Sequence, residues 1–579
     1  MADLYISSDV ASEGEMAAVA VVLGPDDDAL VVEHERVVRG GTRRRHARRN
    51  LLLPALHALQ NHAGWISPGG LNHVCERLQV PPAEAYGVAT FYDLFRTTDP
   101  GNREAVTHVC VDGACQMSGA NELLAELEAG GARVHASPCL GQCERAPATF
   151  VQGLAGPDLV PADSLPYTIP QQGDASLRLL RRIGVVDPTD IDSYRHNGGF
   201  AALERARELG PTELVQLVTD SGLSGRGGAA FPTGVKWAAV RAEVDTGRSA
   251  HVVANADESE PGTFKDRVLI ENDPFSLVEA LLIAGYATGA THGWIYIRGE
   301  YPLATARLEK AVAEARTGGL LGANALGEGH NFDITIRRGA GAYVCGEETA
   351  LFNSIEGFRG EPRNKPPFPT THGLFGEPTA INNPETLVNV LHLLTSGISE
   401  YRTQGTERSP ATKLFCLSGA VLTPGLYEAP FGITLGELLE MAGGVRGDLR
   451  AVLMGGAAGS FVDRSFLDMA LTLEDTQKRG TTLGSGVVMV FNTEDDIVAA
   501  VSRIAEFFRD ESCGQCVPCR IGTQRQHEIV GAGVLDAKHI GLIDEMAAAM
   551  RDASICGLGH TASNAVQSAI RLGLIGAGK

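Results

Sequence analysis

The spacing of apolar positions changes character several times along the chain, and each change marks a different kind of unit. Near the start, AVAVVLG at 18–24 and ALVVEHERVV at 29–38 flank a Pro-Asp-Asp-Asp turn at 25–28 and predict two short strands. From about 50 to 98 the spacing becomes helical: Leu52, Leu53, Leu56 and Leu59 form one stripe, and PPAEAYGVATFYDLF opens on a Pro-Pro helix start. Residues 104–152 read as strand, helix, strand, strand in THVCVDG, SGANELLAELEAGG, ARVHASP and ATFVQG. A Pro- and Gly-rich stretch then predicts a linker.

Further on, HVVANA, GWIYIRG and DITIRRG predict strands, with LVEALLIAGYAT and PLATARLEKAVAEA as helices between them. That alternation predicts a mostly parallel sheet covered by helices. Short strands and one helix follow, and the pattern is helical from about 495 onward. The expected division is an N-terminal extension (1–50), a helical segment (51–98), a small α/β domain (99–155), a linker (156–200), a larger α/β domain (201–405), a small α+β domain (406–490) and a helical domain (491–579).

Charge and composition narrow the function classes. A net charge of −21 over 579 residues excludes a chain built as a nucleic-acid binder, because phosphates would repel most of its surface. The one basic cluster, RGGTRRRHARRN at 39–50, reads either as a solvated linker or as a docking arm for an acidic partner or RNA. No apolar run approaches the ~18 residues of a spanning helix. The acidic start is unlike a signal peptide, so a cytoplasmic protein is expected.

Eleven cysteines in such a compartment are not expected to pair as disulfides, and eight of them are grouped. Cys513, Cys516 and Cys519 are each separated by two residues in ESCGQCVPCRIGT, and Cys556 returns in SICGLGH. Three thiolates at that spacing wrap one corner of a [4Fe–4S] cubane and a remote fourth closes it; a Cys₄ zinc site is the alternative. Gly514 and Pro518 suit the tight turns. Cys110 with Cys115, and Cys139 with Cys143, form two pairs on two loops, as a [2Fe–2S] rhomb requires, with zinc again the alternative. Gly113, Gly119 and Gly141 let backbone approach inorganic sulfide there.

Three loops add polar chemistry. SGLSGRGGAAFPTGVKW at 221–237 offers consecutive amides at Gly225, Gly227 and Gly228, with Arg226 and Lys236 as cations, the parts of a phosphate-binding nest. A helix-like stretch precedes it where a dinucleotide fingerprint needs a strand, so a surface glycine turn stays open as a reading. NADESEPGTFKD at 255–266 follows a strand, at the edge where open α/β sheets place ligands. GAGAYVCGEETAL at 339–351 repeats that arrangement, although Glu347 and Glu348 also suit plain helix capping. NKPPFP at 364–369 and INNPET at 381–386 contribute aromatic and amide groups. No nucleophile–base triad or Walker motif appears, which leaves the chemistry to cofactors.

Taken together, SGLSGRGGAAFPTGVKW, ANADESEPGTFKD, GAYVCGEETAL, KPPFP and ESCGQCVPCR…CGLG resemble the flavin-bearing NADH-oxidising (51-kDa-type) subunit of respiratory complex I. Residues 50–152 resemble its 24-kDa-type [2Fe–2S] subunit; the two are joined here as in the diaphorase subunits of NAD-linked hydrogenases and of some NAD-dependent formate dehydrogenases. The resemblance implies an α/β multidomain fold: a thioredoxin-like [2Fe–2S] domain, a Rossmann-like FMN and NAD domain, a small β-grasp-like domain and a C-terminal helical [4Fe–4S] bundle. Gly225, Arg226, Gly227, Gly228, Lys236, Asn255, Asp257, Glu258, Ser259, Tyr343, Gly346, Glu347, Asn382 and Asn383 are implied to hold FMN. NAD(H) would stack on the flavin, with Phe231 and Phe368 beside the adenine and Glu260, Glu348 and Lys365 near the ribose and nicotinamide. Glu260 and Glu348 are the implied catalytic pair, and their charge would exclude the extra phosphate of NADP(H). Two departures stand out: Ala239 replaces an aromatic common in relatives, and the Cys115–Cys139 segment is short. The implied partner carries further Fe–S clusters: a molybdenum or tungsten formate dehydrogenase subunit, with hydrogenase or complex I subunits as alternatives.

Overall fold

The computed structural model describes residues 7–24, 48–101, 104–153, 156–157, 169–325, 329–533 and 535–576. Its first element corrects the sequence reading. Residues 18–24 are not a strand; they end a helix, α1 (Glu13–Leu23). Ser12 and Glu15 form a reciprocal capping box at its start, and Val19 and Leu23 are buried. The alanine-rich run favours helix, and the capping box fixes where it begins. The second expected strand, at 29–38, and most of the arginine cluster lie outside the described residues. Arg49, from that cluster, is buried; it donates to Gly357 O and pairs with Glu84.

Helices α2 (Leu52–Ala63), α3 (Pro68–Leu78) and α4 (Pro82–Ala89) occupy the helical segment as the spacing predicts. Next come β1 (Val106–Cys110), α5 (Gly113–Met117), α6 (Ala120–Ala129), β2 (Val134–Ser137), β3 (Thr149–Gly153) and β4 (Gly156–Pro157). They form a four-stranded sheet in the order β2-β1-β3-β4, with β1 parallel to β2 and antiparallel to β3. Residues 169–200, read from sequence as linker, are packed into the body of the protein, with Leu179, Leu180 and Ile183 buried. Their amides need acceptors, and buried Glu428 supplies one to Arg178, Leu179 and Leu180.

The larger α/β domain contains α7 (Ala201–Asp220), α8 (Thr233–Val244), β5 (His251–Ala256), α9 (Lys265–Asn272), α10 (Pro274–Thr288), β6 (His292–Ile297), α11 (Pro302–Thr317), β7 (Asp333–Arg338), α12 (Glu348–Glu356), β8 (Thr379–Asn382) and α13 (Pro384–Tyr401). The sheet is parallel throughout, in the order β7-β6-β5-β8. Every residue of α10 is buried, which is why its sequence is apolar on all sides.

The small domain holds β9 (Thr412–Gly419), β10 (Gly425–Pro430), α14 (Leu435–Met441), β11 (Leu449–Met454), β12 (Ser460–Val462) and β13 (Val487–Asn492). Its mixed sheet, β10-β9-β13-β11-β12, has its own apolar cluster on one face. The chain ends in α15 (Ile497–Asp510), α16 (Val517–Gly531), α17 (Ala537–Ala553) and α18 (Asn564–Arg571). One continuous core runs through the thioredoxin-like, larger α/β and C-terminal helical parts, so the loops between them are held in fixed relation.

Candidate functional site

The loops following β5, β7 and β8 meet at the carboxyl edge of the parallel sheet, where ligands of open α/β sheets bind. Asn255 Nδ2 donates to Gly346 O at 2.8 Å, tying the first loop to the second. The glycine run between α7 and α8 closes on itself, with Gly225 N donating to Phe231 O. It lies close against the third loop: a Cβ on Gly227 would stand 3.2 Å from Asn383 Cβ, and Gly228 has φ +118°. This is a tight backbone cradle that larger residues would fill. With Lys236 at its side, it fits the phosphate of FMN, and the polar loops fit the ribityl hydroxyls.

Several residues expected to touch the cofactor do other work with their side chains. Arg226 is buried; its guanidinium donates to Ser224 and Pro410 O and stacks on Phe431. Asn383 caps α13, accepts from Lys265 Nζ and donates to Asp266. Asn382 accepts from the Trp237 indole, and Glu258 accepts from the amides of Asp266 and Arg267. These four side chains also tie the loops to one another and to the elements behind them. Lys236 donates to Ile381 O at 2.7 Å and retains two further protons to offer; burial lowers its pKa, partly countered by Glu348.

Near Lys236 stand three of the residues expected at the nicotinamide nucleotide, Phe231, Glu348 and Lys365. Lys365 Nζ bridges Glu347 and Glu348, 2.9 Å from each. Phe231 and Phe368 are 51 % and 58 % exposed, open faces for a base to stack on, and Phe231 lies 5.8 Å from Lys236 Nζ. The acids of the β5 loop are held differently. Burial pushes the Asp257 carboxyl up to about 8 and that of Glu260 up to about 7. Ser259 donates to Asp257. Glu260 accepts from the Tyr343 hydroxyl at 2.6 Å and from Ala458 N, on the β11–β12 loop, at 2.8 Å.

The N-terminal cysteines converge at the end of β1 and on the loop after β2. All four are buried. Cys139 and Cys143 Sγ are 3.6 Å apart. Gly141 N and Ala148 N donate to Cys139 and Cys115 sulfur, the bonds that thiolates and sulfides require. Gly141 has φ +64°, and a Cβ there would run into the Tyr301 hydroxyl. Contacts with Cys110 and Cys143, and then the Arg298 guanidinium, hold the Cys139 thiol well below its ordinary range. Four sulfurs with amide donors fit a [2Fe–2S] cluster.

The C-terminal set is gathered at two helix starts. Cys516 is the N-cap of α16, and Cys556 precedes the single turn Gly557–Thr561. Cys519 is buried, whereas Cys513 and Cys516 are partly exposed. Gly559 is required where it sits, since a Cβ would collide with Ser554 and crowd Cys519. The remote Cys556 lies close enough to Cys513 and Cys519 for their charges to interact, as a cubane's ligands must.

A short polar bridge joins residues of three of the sequence motifs, Glu260, Tyr343 and Glu511. Burial, then the Glu260 carboxylate beside it, raises the Tyr343 hydroxyl, and the Tyr343–Glu260 hydrogen bond joins the β7 loop to the β5 loop. Glu511 accepts from Tyr343 N at 2.8 Å, and burial pushes it up to about 7. Arg298 donates to Cys139 O and to Glu258 O, joining the [2Fe–2S] loop to the flavin loop. Glu511 opens the cysteine motif ESCGQCVPCRIGT without being named there as a site residue, and Arg298, just after β6, belongs to no motif.

Comparison with known proteins agrees with this division. Residues 40–164 match the thioredoxin-like [2Fe–2S] ferredoxin family, 218–392 the Nuo51 FMN-binding domain, 414–456 the SLBB domain and 499–572 the NADH-ubiquinone oxidoreductase-F iron-sulfur binding region. FMN, NAD(H), one [2Fe–2S] and one [4Fe–4S] cluster are therefore its cofactors. An NADH-quinone oxidoreductase subunit of Rhizobium meliloti is 43 % identical over 400 residues, which cover 68 % of this chain and 94 % of the relative. The HndC subunit of the NADP-reducing hydrogenase of Solidesulfovibrio fructosivorans is 42 % identical over 397 residues, covering 67 % of this chain and 80 % of the relative. A chain in the crystal structure of NAD⁺-reducing [NiFe]-hydrogenase in the air-oxidized state superposes with a TM-score of 0.77 at 33 % identity, covering 91 % of this chain and 93 % of that one. The chain belongs to the family of flavin- and iron–sulfur-bearing NADH-quinone oxidoreductase subunits, joined here in one polypeptide to a thioredoxin-like [2Fe–2S] ferredoxin.

Proposed function

We propose that this chain is the NAD(H)-reacting arm of a multi-subunit oxidoreductase whose second substrate is handled by another subunit. The observation that carries the reading is that one continuous core holds the cradle and both cysteine sites, with Arg298 joining the Cys139 loop to the β5 loop and Glu511 joining the Cys513 segment to Tyr343. Bound FMN supplies the conversion between two-electron hydride exchange with nicotinamide and single-electron exchange with iron–sulfur clusters. The chain's residues do the rest. Phe231 and Phe368 offer faces to the adenine, Lys365 and Glu348 hold the ribose side, and Glu347 fixes the start of α12 by capping Thr349 and Ala350. Glu260, near its midpoint at neutral pH, holds or releases a proton beside the reacting ring.

Formate, oxidised at a molybdenum or tungsten site, is the partner substrate favoured by the sequence resemblance. Dihydrogen is the second reading, supported by the match along nine-tenths of the chain to a subunit of NAD⁺-reducing [NiFe]-hydrogenase. Among the described residues no helix is long and apolar enough to cross a membrane; we place the complex in the cytoplasm. Purification of the native complex under anaerobic conditions, with metal analysis, tests the assignment. Molybdenum or tungsten with formate-dependent NAD⁺ reduction supports the first reading, and nickel with hydrogen-dependent reduction the second. Protein without flavin absorbance or NADH–ferricyanide activity defeats both.

A further inference from the structure

Outside the flavin cradle and the cysteine sets, three residues converge where the thioredoxin-like sheet meets the loop after α4. His108 and His135 are direct partners on the parallel strands β1 and β2, so their side chains share a face. Their ring centroids are 5.0 Å apart. Asp93 approaches from the α4 loop, and one of its carboxylate oxygens lies 3.1 Å from His135 Nε2. One nitrogen from each ring and one Asp93 oxygen all lie within 4.8 Å of one another.

The tautomer of His108 is set from outside. Gln152 Nε2 donates to Leu94 O at 2.9 Å, which turns its Oε1 toward His108 Nε2, 3.2 Å away. An amide oxygen only accepts, so Nε2 carries the proton and Nδ1 keeps its lone pair. His108 is 1 % exposed, and its Nδ1 has no hydrogen-bond partner. A buried acceptor without a donor is costly. An imidazole lone pair presented by a hydrogen bond on the opposite nitrogen is, however, how proteins offer histidine to a metal.

We propose that Asp93, His108 and His135 bind a divalent transition-metal ion. Two imidazoles and a carboxylate suit Zn²⁺ or Fe²⁺, and are a poor set for Mg²⁺ or Ca²⁺, which require mostly oxygen ligands. All three residues line a cleft of about 1190 Å³, so the remaining coordination positions face solvent. Arg96 lines the same cleft, and its charge bears on both imidazoles, opposing a cation. The site therefore holds its ion less tightly than a four-cysteine zinc centre, and the ion exchanges.

The consequence is a clamp between domains. Asp93 N and Leu94 N donate to Gly341 O and Ala340 O, on the glycine loop that leads into Tyr343. His108 stands two residues before the cluster ligand Cys110. An ion here fastens the [2Fe–2S] scaffold to the flavin-side loop.

Co²⁺ titration of the intact protein, after treatment with a chelator that leaves both clusters in place by EPR, tests this directly. The expected result is one Co²⁺ per chain with visible ligand-field bands, displaced by Zn²⁺. Asp93→Asn and His135→Gln, both at side chains in contact with solvent, are expected to lose the bands while keeping full iron content. Absence of stoichiometric Co²⁺ in cluster-replete wild type overturns the proposal. So does undiminished binding in both variants.

Discussion

The two cysteine sets hold similar chemistry in opposite surroundings. The N-terminal set is sealed: none of its four residues is more than 5 % exposed. Arg298 and Arg267 bind the carbonyls of Cys139 and Gly141, and Arg267 pairs with Glu144, closing the loop against the flavin domain. The C-terminal set opens outward. Cys513 lines the wide cleft, and beside the cluster ligands Val517 and Ile521, one turn apart on α16, are 58 % and 51 % exposed. A sealed cluster next to the flavin suits storage and tuning by buried charge. An exposed one beside apolar side chains suits delivery to a docked partner.

The comparison is broken most severely by removing a ligand from the open set. Cys516→Ser should lower iron from about six atoms per chain to about two and leave the [2Fe–2S] EPR signal in place. Stoichiometric zinc with no iron in the wild type contradicts the assignment of both sites. Between the sets, Glu348→Gln removes the charge that meets Lys365, and KM for NADH should rise ~10-fold, the worth of one charge-assisted hydrogen bond. Wild-type protein that uses NADP⁺ as well as NAD⁺ is inconsistent with repulsion of a 2′-phosphate by Glu348; buried Glu260, raised to about 7, adds little charge to it.

Arg298→Gln sharpens the contrast from the sealed side. Taking a buried cation from beside Cys139 should lower the [2Fe–2S] potential in a redox titration and leave the [4Fe–4S] potential nearly unchanged. Equal shifts at both clusters would mean that Arg298 acts on the whole fold. The smallest effect concerns pH. Glu260 is raised from 4.5 to about 7, so folded protein keeps a proton that unfolded chain releases. Its stabilisation is complete below 4.5 and lost as pH rises through about 7; Asp257, raised to about 8, acts with the same sign. Melting temperature should therefore fall from pH 5 to pH 8, and Glu260→Gln should flatten that fall, measured by calorimetry.

Spacing alone locates the cysteines, because thiolates that share a cluster must recur at intervals fixed by its size. The parallel strands β5, β6 and β7 are equally readable from their apolar runs, whereas the short β8 (Thr379–Asn382) is not. Direction is not. Arg226 and Asn383 have the residue types of ligands, yet tertiary packing turns both side chains inward, and no local pattern records that. The roles of Arg298 and of Glu511, which opens the cysteine motif, escape sequence reasoning because each acts through a partner remote in sequence. Helix α1 is misread because its apolar run also fits a strand, while the deciding capping box lies upstream, at Ser12 and Glu15.

The division of roles is tested most directly by comparing Cys519→Ser with Cys139→Ser in the intact complex. Each is measured for NADH–ferricyanide activity and for NAD⁺-linked turnover of the partner's substrate, with folding checked by circular dichroism. Ferricyanide takes electrons at the flavin, so that activity should persist in both. Cys519→Ser should abolish partner-linked turnover, and Cys139→Ser should reduce it only modestly. Partner-linked turnover that survives Cys519→Ser and is lost in folded Cys139→Ser would run the main path through the sealed cluster and contradict the account.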